Sequence, residues 1–166
     1  MDNRNSAGAG VYIGLGSNMG NAAEHVRQAI LQLAEWPGIS VVAQSGLYLS
    51  TPVDASGDDF VNAVVAIRTT FSPQELLVQL LHMENSFGRQ RTYRNAPRVL
   101  DLDLLLYDGQ EIKSDVLTIP HPRITERAFV LFPLLQIAPD IVIPGKGQAQ
   151  QYLDDVSDQA LARLEY

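Results

Sequence analysis

In RNAPRVLDLDLLLYDG, residues 94–109, Asp101 and Asp103 interrupt an apolar run formed by Val99, Leu100, Leu102, Leu104, Leu105, Leu106 and Tyr107. Such a run predicts a strand, and successive strand side chains point to opposite faces. The two carboxylates then share one face, while Leu100, Leu102 and Leu104 share the other. Their Cα atoms stand roughly 6–7 Å apart with the side chains pointing the same way. Two like charges are costly to bury without a neutralising group. One candidate is Mg²⁺, which takes a few carboxylates together with phosphate oxygens and water. The other is arginine pairing of purely structural acids.

The residues upstream bear on that choice. Four of the twelve basic residues, Arg89, Arg91, Arg94 and Arg98, fall within positions 89–98 with no Asp or Glu among them, and Arg123 and Arg127 follow. Clustered guanidinium groups in a chain of net charge −7 suit a small polyanion held at one site by bidentate contacts to phosphate. Metal ligands beside phosphate clamps are the parts that phosphoryl transfer needs most. GLGSNMG, at 14–20, reads either as a phosphate cradle or as a tight turn where strand meets helix. It has neither the P-loop lysine nor the spacing of the dinucleotide motif. His121 lies between two prolines in PHPR and is either structural or turned to the same anion, whereas His25 and His82 fall in predicted helices without an assigned role. Phe60 and Phe129 are core or ligand-facing aromatics. Asn62, an amide inside an apolar strand, must find partners, and a heteroaromatic ligand would supply both donors and acceptors.

These residues need a scaffold. VYIGLGS at 11–17 predicts a strand; Asn21, with Glu24 three residues on, starts a helix in which Val26, Ile30 and Leu33 recur until Pro37-Gly38. Residues 39–50 and 59–70 predict two strands, the second with Val61, Ala63, Val65 and Ile67 on one face and Phe60 and Asn62 on the other. Ser72-Pro73-Gln74-Glu75 is a capping box opening a helix that Leu76, Leu77, Leu80, Leu81 and Glu84 carry to Gly88. With the aspartate strand, the order over 11–107 is βαββαβ, an α+β ferredoxin-like core. Beyond it, DGQEI predicts a turn, LTIPHPR a short extended piece, TERAFVLFPLLQIAP a helix and IVIP a last strand.

At 166 residues, 46% hydrophobic and 19% charged, the chain suits one globular domain over 10–166 after a disordered leader at 1–9. No apolar run approaches the length of a membrane span. The absence of cysteine excludes a disulfide framework, thiolate metal sites and a cysteine nucleophile. The acidic balance argues against a general nucleic-acid binder. The expectation is a cytoplasmic monomer acting on small molecules, with no nucleic-acid or membrane partner.

The motifs YIGLGSNMGN, STPV, FVNAV, FGRQR, APRVLDLDLLLY and IPHPRITERAFVLFPL, in that order over residues 11 to about 144, resemble the 6-hydroxymethyl-7,8-dihydropterin pyrophosphokinase family of folate biosynthesis. The resemblance implies transfer of the β,γ-pyrophosphate of ATP to the pterin hydroxymethyl group, with release of AMP and use of two Mg²⁺ ions. It implies that Asp101 and Asp103 are the metal ligands, and that Arg89, Arg91, Arg94, Arg98, His121 and Arg127 contact ATP or close over it, with Arg89, Arg91 and Arg98 joining the aspartates in catalysis. Phe60 and Phe129 match the aromatic pair that sandwiches the pterin, Asn62 the amide that hydrogen-bonds it, and Thr51, Pro52 and Val53 the loop lining its pocket. Glu84 and Thr118 match nucleotide-side positions. The arginine segment departs from the family in carrying Asn95 where many members have Trp, and in being one residue shorter around Thr92 and Tyr93.

Fold alone would also allow a nucleotide-sensing module without chemistry, or an RNA-binding sheet. A sensor has little use for paired acids beside an arginine cluster, and an RNA-binding sheet expects a basic face.

Overall fold

The structure is a computed structural model that describes residues 10–51, 59–87 and 99–164. The ferredoxin-like core comprises β1 (Val11–Ser17), α1 (Ala22–Glu35), β2 (Ile39–Gln44), β3 (Tyr48–Ser50), β4 (Phe60–Thr69), α2 (Pro73–Phe87) and β5 (Asp101–Tyr107). After it come a hairpin of β6 (Ile112–Lys113) and β7 (Thr118–Ile119), helix α3 (Ala128–Ile137), and a second hairpin of β8 (Val142–Ile143) and β9 (Gly147–Gln148). Two 3₁₀ turns, Ala149–Tyr152 and Asp154–Val156, and strand β10 (Leu161–Arg163) close the described chain.

The main sheet runs β10-β3-β4-β1-β5, with β2 also on β4, and every pairing is antiparallel. The stretch expected as one strand over 39–50 is two, β2 along Val65–Thr69 and β3 along Phe60–Asn62 of the same neighbour. Between them Ser45 takes over the ladder: its N–H donates to the Val64 carbonyl (2.9 Å) and its hydroxyl oxygen accepts from the Val64 N–H (2.9 Å). The break therefore leaves no orphaned backbone group at Val64.

Both core helices begin as their sequences predict. Asn21 accepts from Glu24 N–H (3.3 Å), and the Ser72/Glu75 box is reciprocal, with bonds of 3.1 and 2.9 Å. On α2 the buried stripe is Leu76, Leu80, Met83 and Glu84, whereas Leu81 is 46% exposed, so Met83 and not Leu81 completes the stripe. The helix expected from Thr125 starts at Ala128, after a turn in which Glu126 N–H donates to the Arg123 carbonyl (3.0 Å).

Two cores flank the sheet. Helices α1 and α2 cover one face, where Ile13, Leu15, Leu33, Ile67, Leu76, Leu80, Leu102 and Leu104 are buried together. Helix α3 covers the other, with Val64, Leu105, Leu106, Leu131 and Leu134. Each fully buried Leu or Ile contributes about 1.5–3 kcal/mol. The β1–β5 register passes from Tyr12↔Leu106 to Ile13↔Leu104, which makes Leu105 an extra residue, a β-bulge. Before the bulge Leu100, Leu102 and Leu104 face α1 and α2, and Asp101 and Asp103 face the α3 side, as the alternation predicts. No helix among the described residues is long and apolar enough to cross a membrane.

Candidate active site

Cross-strand partners share a face, so the register assembles the site in rows. Tyr48, Asn62, Gly16 and Asp101 form one row across β3, β4, β1 and β5, with Ser50 and Phe60 paired one step toward the end of the sheet. Gly14 lies between Val64 and Asp103 in the next row on the other side. Neighbouring strands lie about 4.8 Å apart, so Asn62 and Asp101 are roughly 10 Å apart across a strand whose middle residue has no side chain. Asn62 is 5% exposed, and its Oδ1 accepts from the Ser50 hydroxyl (2.8 Å). A Cβ on Gly16 would sit 3.0 Å from Asn62 Nδ2. Gly14 and Gly16 are therefore strand residues, of which Gly16 keeps this floor open while Gly14 lies against the Leu105 side chain, and the turn lies at Asn18–Gly20, where Gly20 adopts φ +59°.

The bulge also anchors the next wall. His121 N–H donates to the Leu105 carbonyl (2.9 Å), which brings the PHPR segment beside Asp103. His121 Nδ1 accepts from the Arg123 N–H (3.1 Å), so in the neutral ring Nε2 carries the proton. Burial pushes the His121 pKa below its ordinary value; the Asp103 charge opposes that shift, and Arg127 and Arg123 reinforce it. The Arg127 guanidinium stands over the Phe129 ring, 5.5 Å from its centroid, at cation–π distance. The structure thus gathers Asp103, His121, Arg127 and Phe129 around the start of α3, the helix that packs on the Asn62 face. Arg123 instead pairs with Glu126 (3.0 Å) at the exposed surface, a contact of little energetic weight.

Glu84, 7% exposed on α2, reaches the edge of β5, where its Oε2 accepts from the Leu102 N–H (2.6 Å) between the two aspartates. It holds the strand that presents them. Thr118, on β7, lines a pocket of about 620 Å³ beside His121, together with Ile119, Pro120, Pro122, Lys113 and Lys146. Thr51 is exposed at the end of β3. Arg89, Arg91, Arg94 and Arg98, and likewise Pro52 and Val53, lie outside the described residues.

Asp101 and Asp103 are both half-buried, and among the described residues no group of three or more His, Cys, Asp or Glu side chains could hold a metal ion. Two carboxylates with no nitrogen or sulfur donor suit a hard cation that completes its shell with phosphate oxygens and water. Sequence reasoning missed Tyr48, Ser50 and Gln136 as parts of the site. Gln136 Oε1, on α3, accepts from the Tyr48 hydroxyl (2.7 Å) and the Gly46 N–H (3.0 Å), tying α3 to β3. No periodic signal links these residues; only the two-residue spacing of Gly14 and Gly16 hinted at a bare strand face.

An acidic pair, an imidazole and an arginine on one face of a ferredoxin-like sheet are parts that phosphoryl transfer uses. A model of the 7,8-dihydro-6-hydroxymethylpterin-pyrophosphokinase family matches residues 12–139, and the chain belongs to that family. It is similar to the 2-amino-4-hydroxy-6-hydroxymethyldihydropteridine pyrophosphokinase of Methylorubrum extorquens, 43% identical over 155 residues that cover 93% of this chain and 98% of the relative. The enzyme of the same name from Haemophilus influenzae is 37% identical over 154 residues, 92% of this chain and 96% of its own. A crystal structure of an HPPK-DHPS in complex with substrates superposes with a TM-score of 0.72 at 12% identity, covering 89% of this chain and 43% of that one. Wild-type Plasmodium falciparum HPPK-DHPS with pteroate gives 0.68 at 15%, covering 89% of this chain and 42% of that one. These two likenesses show the fold alone, and this chain spans less than half the length of either.

Proposed function

We propose that the protein transfers the β,γ-pyrophosphoryl group of ATP to the hydroxymethyl oxygen of 6-hydroxymethyl-7,8-dihydropterin, the pyrophosphokinase step of folate biosynthesis. The observation that carries this reading is the row Asn62–Gly16–Asp101, which sets a ring-recognising amide and a carboxylate on one face with an open floor between them. In the reaction the pterin hydroxyl oxygen forms a bond to the β-phosphorus, the bond from that phosphorus to the AMP oxygen breaks, and the hydroxyl proton passes to solvent.

Phe60 and Phe129 hold the pterin ring from either side, Asn62 orients it by hydrogen bonds, and Thr51, Pro52 and Val53 line its pocket. Asp101 and Asp103 would hold two Mg²⁺ ions. When bound, the ions neutralise charge on the phosphate oxygens and lower the pKa of the attacking hydroxyl. Arg89, Arg91, Arg94, Arg98 and Arg127 bind the phosphates and stabilise the negative charge on departing AMP. His121, neutral at pH 7, offers its Nε2 proton to a phosphate oxygen, while Glu84 and Thr118 serve the nucleotide side. Positioning and electrostatics supply most of the acceleration, and no side chain is needed as general base. The protein works as a cytoplasmic monomer on these two small molecules, with neither nucleic acid nor membrane as partner; its acidic charge speaks against nucleic acid, and its cysteine-free sequence accords with a reducing compartment.

The test is product analysis with Mg²⁺, ATP and the pterin, each substrate omitted in turn. Pterin-dependent AMP without ADP is expected. A folded protein that binds both ligands and forms no AMP would overturn the reading in favour of a binding module.

A further inference from the structure

The C-terminal segment lies beyond residues 12–139, where the family match ends, yet it grips both walls of the site. Helix α3 has no local side-chain cap: Arg127, at the N-cap position, makes no capping hydrogen bond. A residue 31 positions downstream of Ala128 does this work instead. Gln159 Oε1 accepts from the Ala128 N–H (2.8 Å), and Gln159 Nε2 donates to the Glu126 carbonyl (2.9 Å). One planar amide thus clasps the backbone immediately before and immediately after Arg127, whose carbonyl is itself held by Val130 and Leu131 N–H groups (3.1 and 3.0 Å). Arg127 stands over Phe129. Two residues after Gln159, β10 begins and pairs with β3, Leu161 opposite Ser50 and Arg163 opposite Tyr48. Ser50 is the donor to Asn62, and Thr51 follows it directly.

We infer that Gln159 is a positioning residue of the pyrophosphokinase site, a clamp that sets Arg127 and Phe129 against the Asn62 wall, with β10 fixing the opposite wall through β3. The inference rests on the function proposed above. Hydrogen bonds on both sides of Arg127 restrain its backbone, and with it the start of the Arg127 and Phe129 side chains. Small displacements of substrate-positioning groups have large effects on rate. An isolated cap would contribute only to helix stability.

The experiment uses the full chain. Wild type, Gln159→Leu, Gln159→Asn and Gln159→Glu are compared for kcat, for KM of the pterin and of ATP, and for Tm. Leucine removes both hydrogen bonds at similar volume; asparagine keeps the amide but is too short to reach both groups, and it carries the test if the leucine variant does not fold. Glutamate keeps the acceptor for Ala128 N–H and loses the donor to Glu126. The expected result for Gln159→Leu and Gln159→Asn is a KM raised about tenfold for the pterin, through Phe129, and raised in the same direction for ATP, through Arg127. Gln159→Glu recovers part of that loss, because the helix N-terminus favours an anionic acceptor. Variants with lowered Tm but wild-type KM and kcat would overturn the clamp while leaving the enzyme reading intact. A wild type that forms no pterin-dependent AMP would overturn the enzyme reading, and the clamp's role with it.

Discussion

Replacing Gly16 by alanine separates binding from stability in this fold. The added methyl carbon would lie 3.0 Å from Asn62 Nδ2, so the amide must shift by a few tenths of an ångström. That shift strains its 2.8 Å bond with the Ser50 hydroxyl, a loss of up to about 1 kcal/mol. Against it, alanine in place of a strand-interior glycine contributes about 0.5–1 kcal/mol by restricting the unfolded chain. The two effects nearly cancel, and for a chain of this size the Tm should move by no more than about 4 °C. Pterin binding has no such compensation. The methyl stands on the floor between Asn62 and Asp101 and turns the amide from its place, and a loss of about 1.4 kcal/mol raises Kd tenfold. The assay is an equilibrium titration of the pterin with a non-hydrolysable ATP analogue bound, run beside thermal unfolding. Gly14→Ala is the control, since its Cβ would make only ordinary contacts at 3.5 Å with the Leu105 side chain. A folded Gly16→Ala protein whose pterin Kd matched that of Gly14→Ala would refute the reasoning.

Asp101→Ala and Asp103→Ala should each lower turnover by about 10² or more, measured as AMP formed at saturating substrates and Mg²⁺; near-normal rates would remove the metal assignment. Glu84→Leu leaves the Leu102 N–H on a buried strand edge and should cost about 1–3 kcal/mol in denaturant unfolding, whereas Glu84→Gln keeps an acceptor and should cost less. Equal losses in the two variants would show that the bond to Leu102 is not what Glu84 contributes. His121 has a pKa lowered by burial, so as pH falls through about 6.5 the unfolded chain takes up a proton before the folded one does. Its share of stability is full above that range and declines toward acid until the lowered folded pKa is passed. In EDTA, His121→Gln should flatten the fall in unfolding free energy between pH 7 and pH 5, and an unchanged slope would contradict the assignment.

Much of the scaffold was legible because its causes are local. The Asn21 cap, the Ser72/Glu75 box and the opposed faces of Asp101/Asp103 and Leu100/Leu102/Leu104 each depend on a few neighbouring residues and a fixed period. Residues 39–50 look like one strand in sequence because the break between β2 and β3 depends on Ser45 meeting Val64, a partner 19 residues away. Leu81 is exposed and Met83 buried although both are apolar residues of the same helix, and which one is buried depends on how α2 sits on the sheet.

The residue types at the site, two acids on one strand face, an amide in an apolar strand and a proline-flanked histidine, were set by the sequence alone. Tertiary structure alone decided that they meet. Gly16 became a floor only when the β4–β1–β5 register placed it between Asn62 and Asp101, and the Leu105 bulge brought His121 to Asp103 by leaving a carbonyl for its N–H. Gln159 came to Arg127 from the far end of the chain. Register and long-range capping are properties of pairs distant in sequence, and no periodicity within one segment records which partner the other will be.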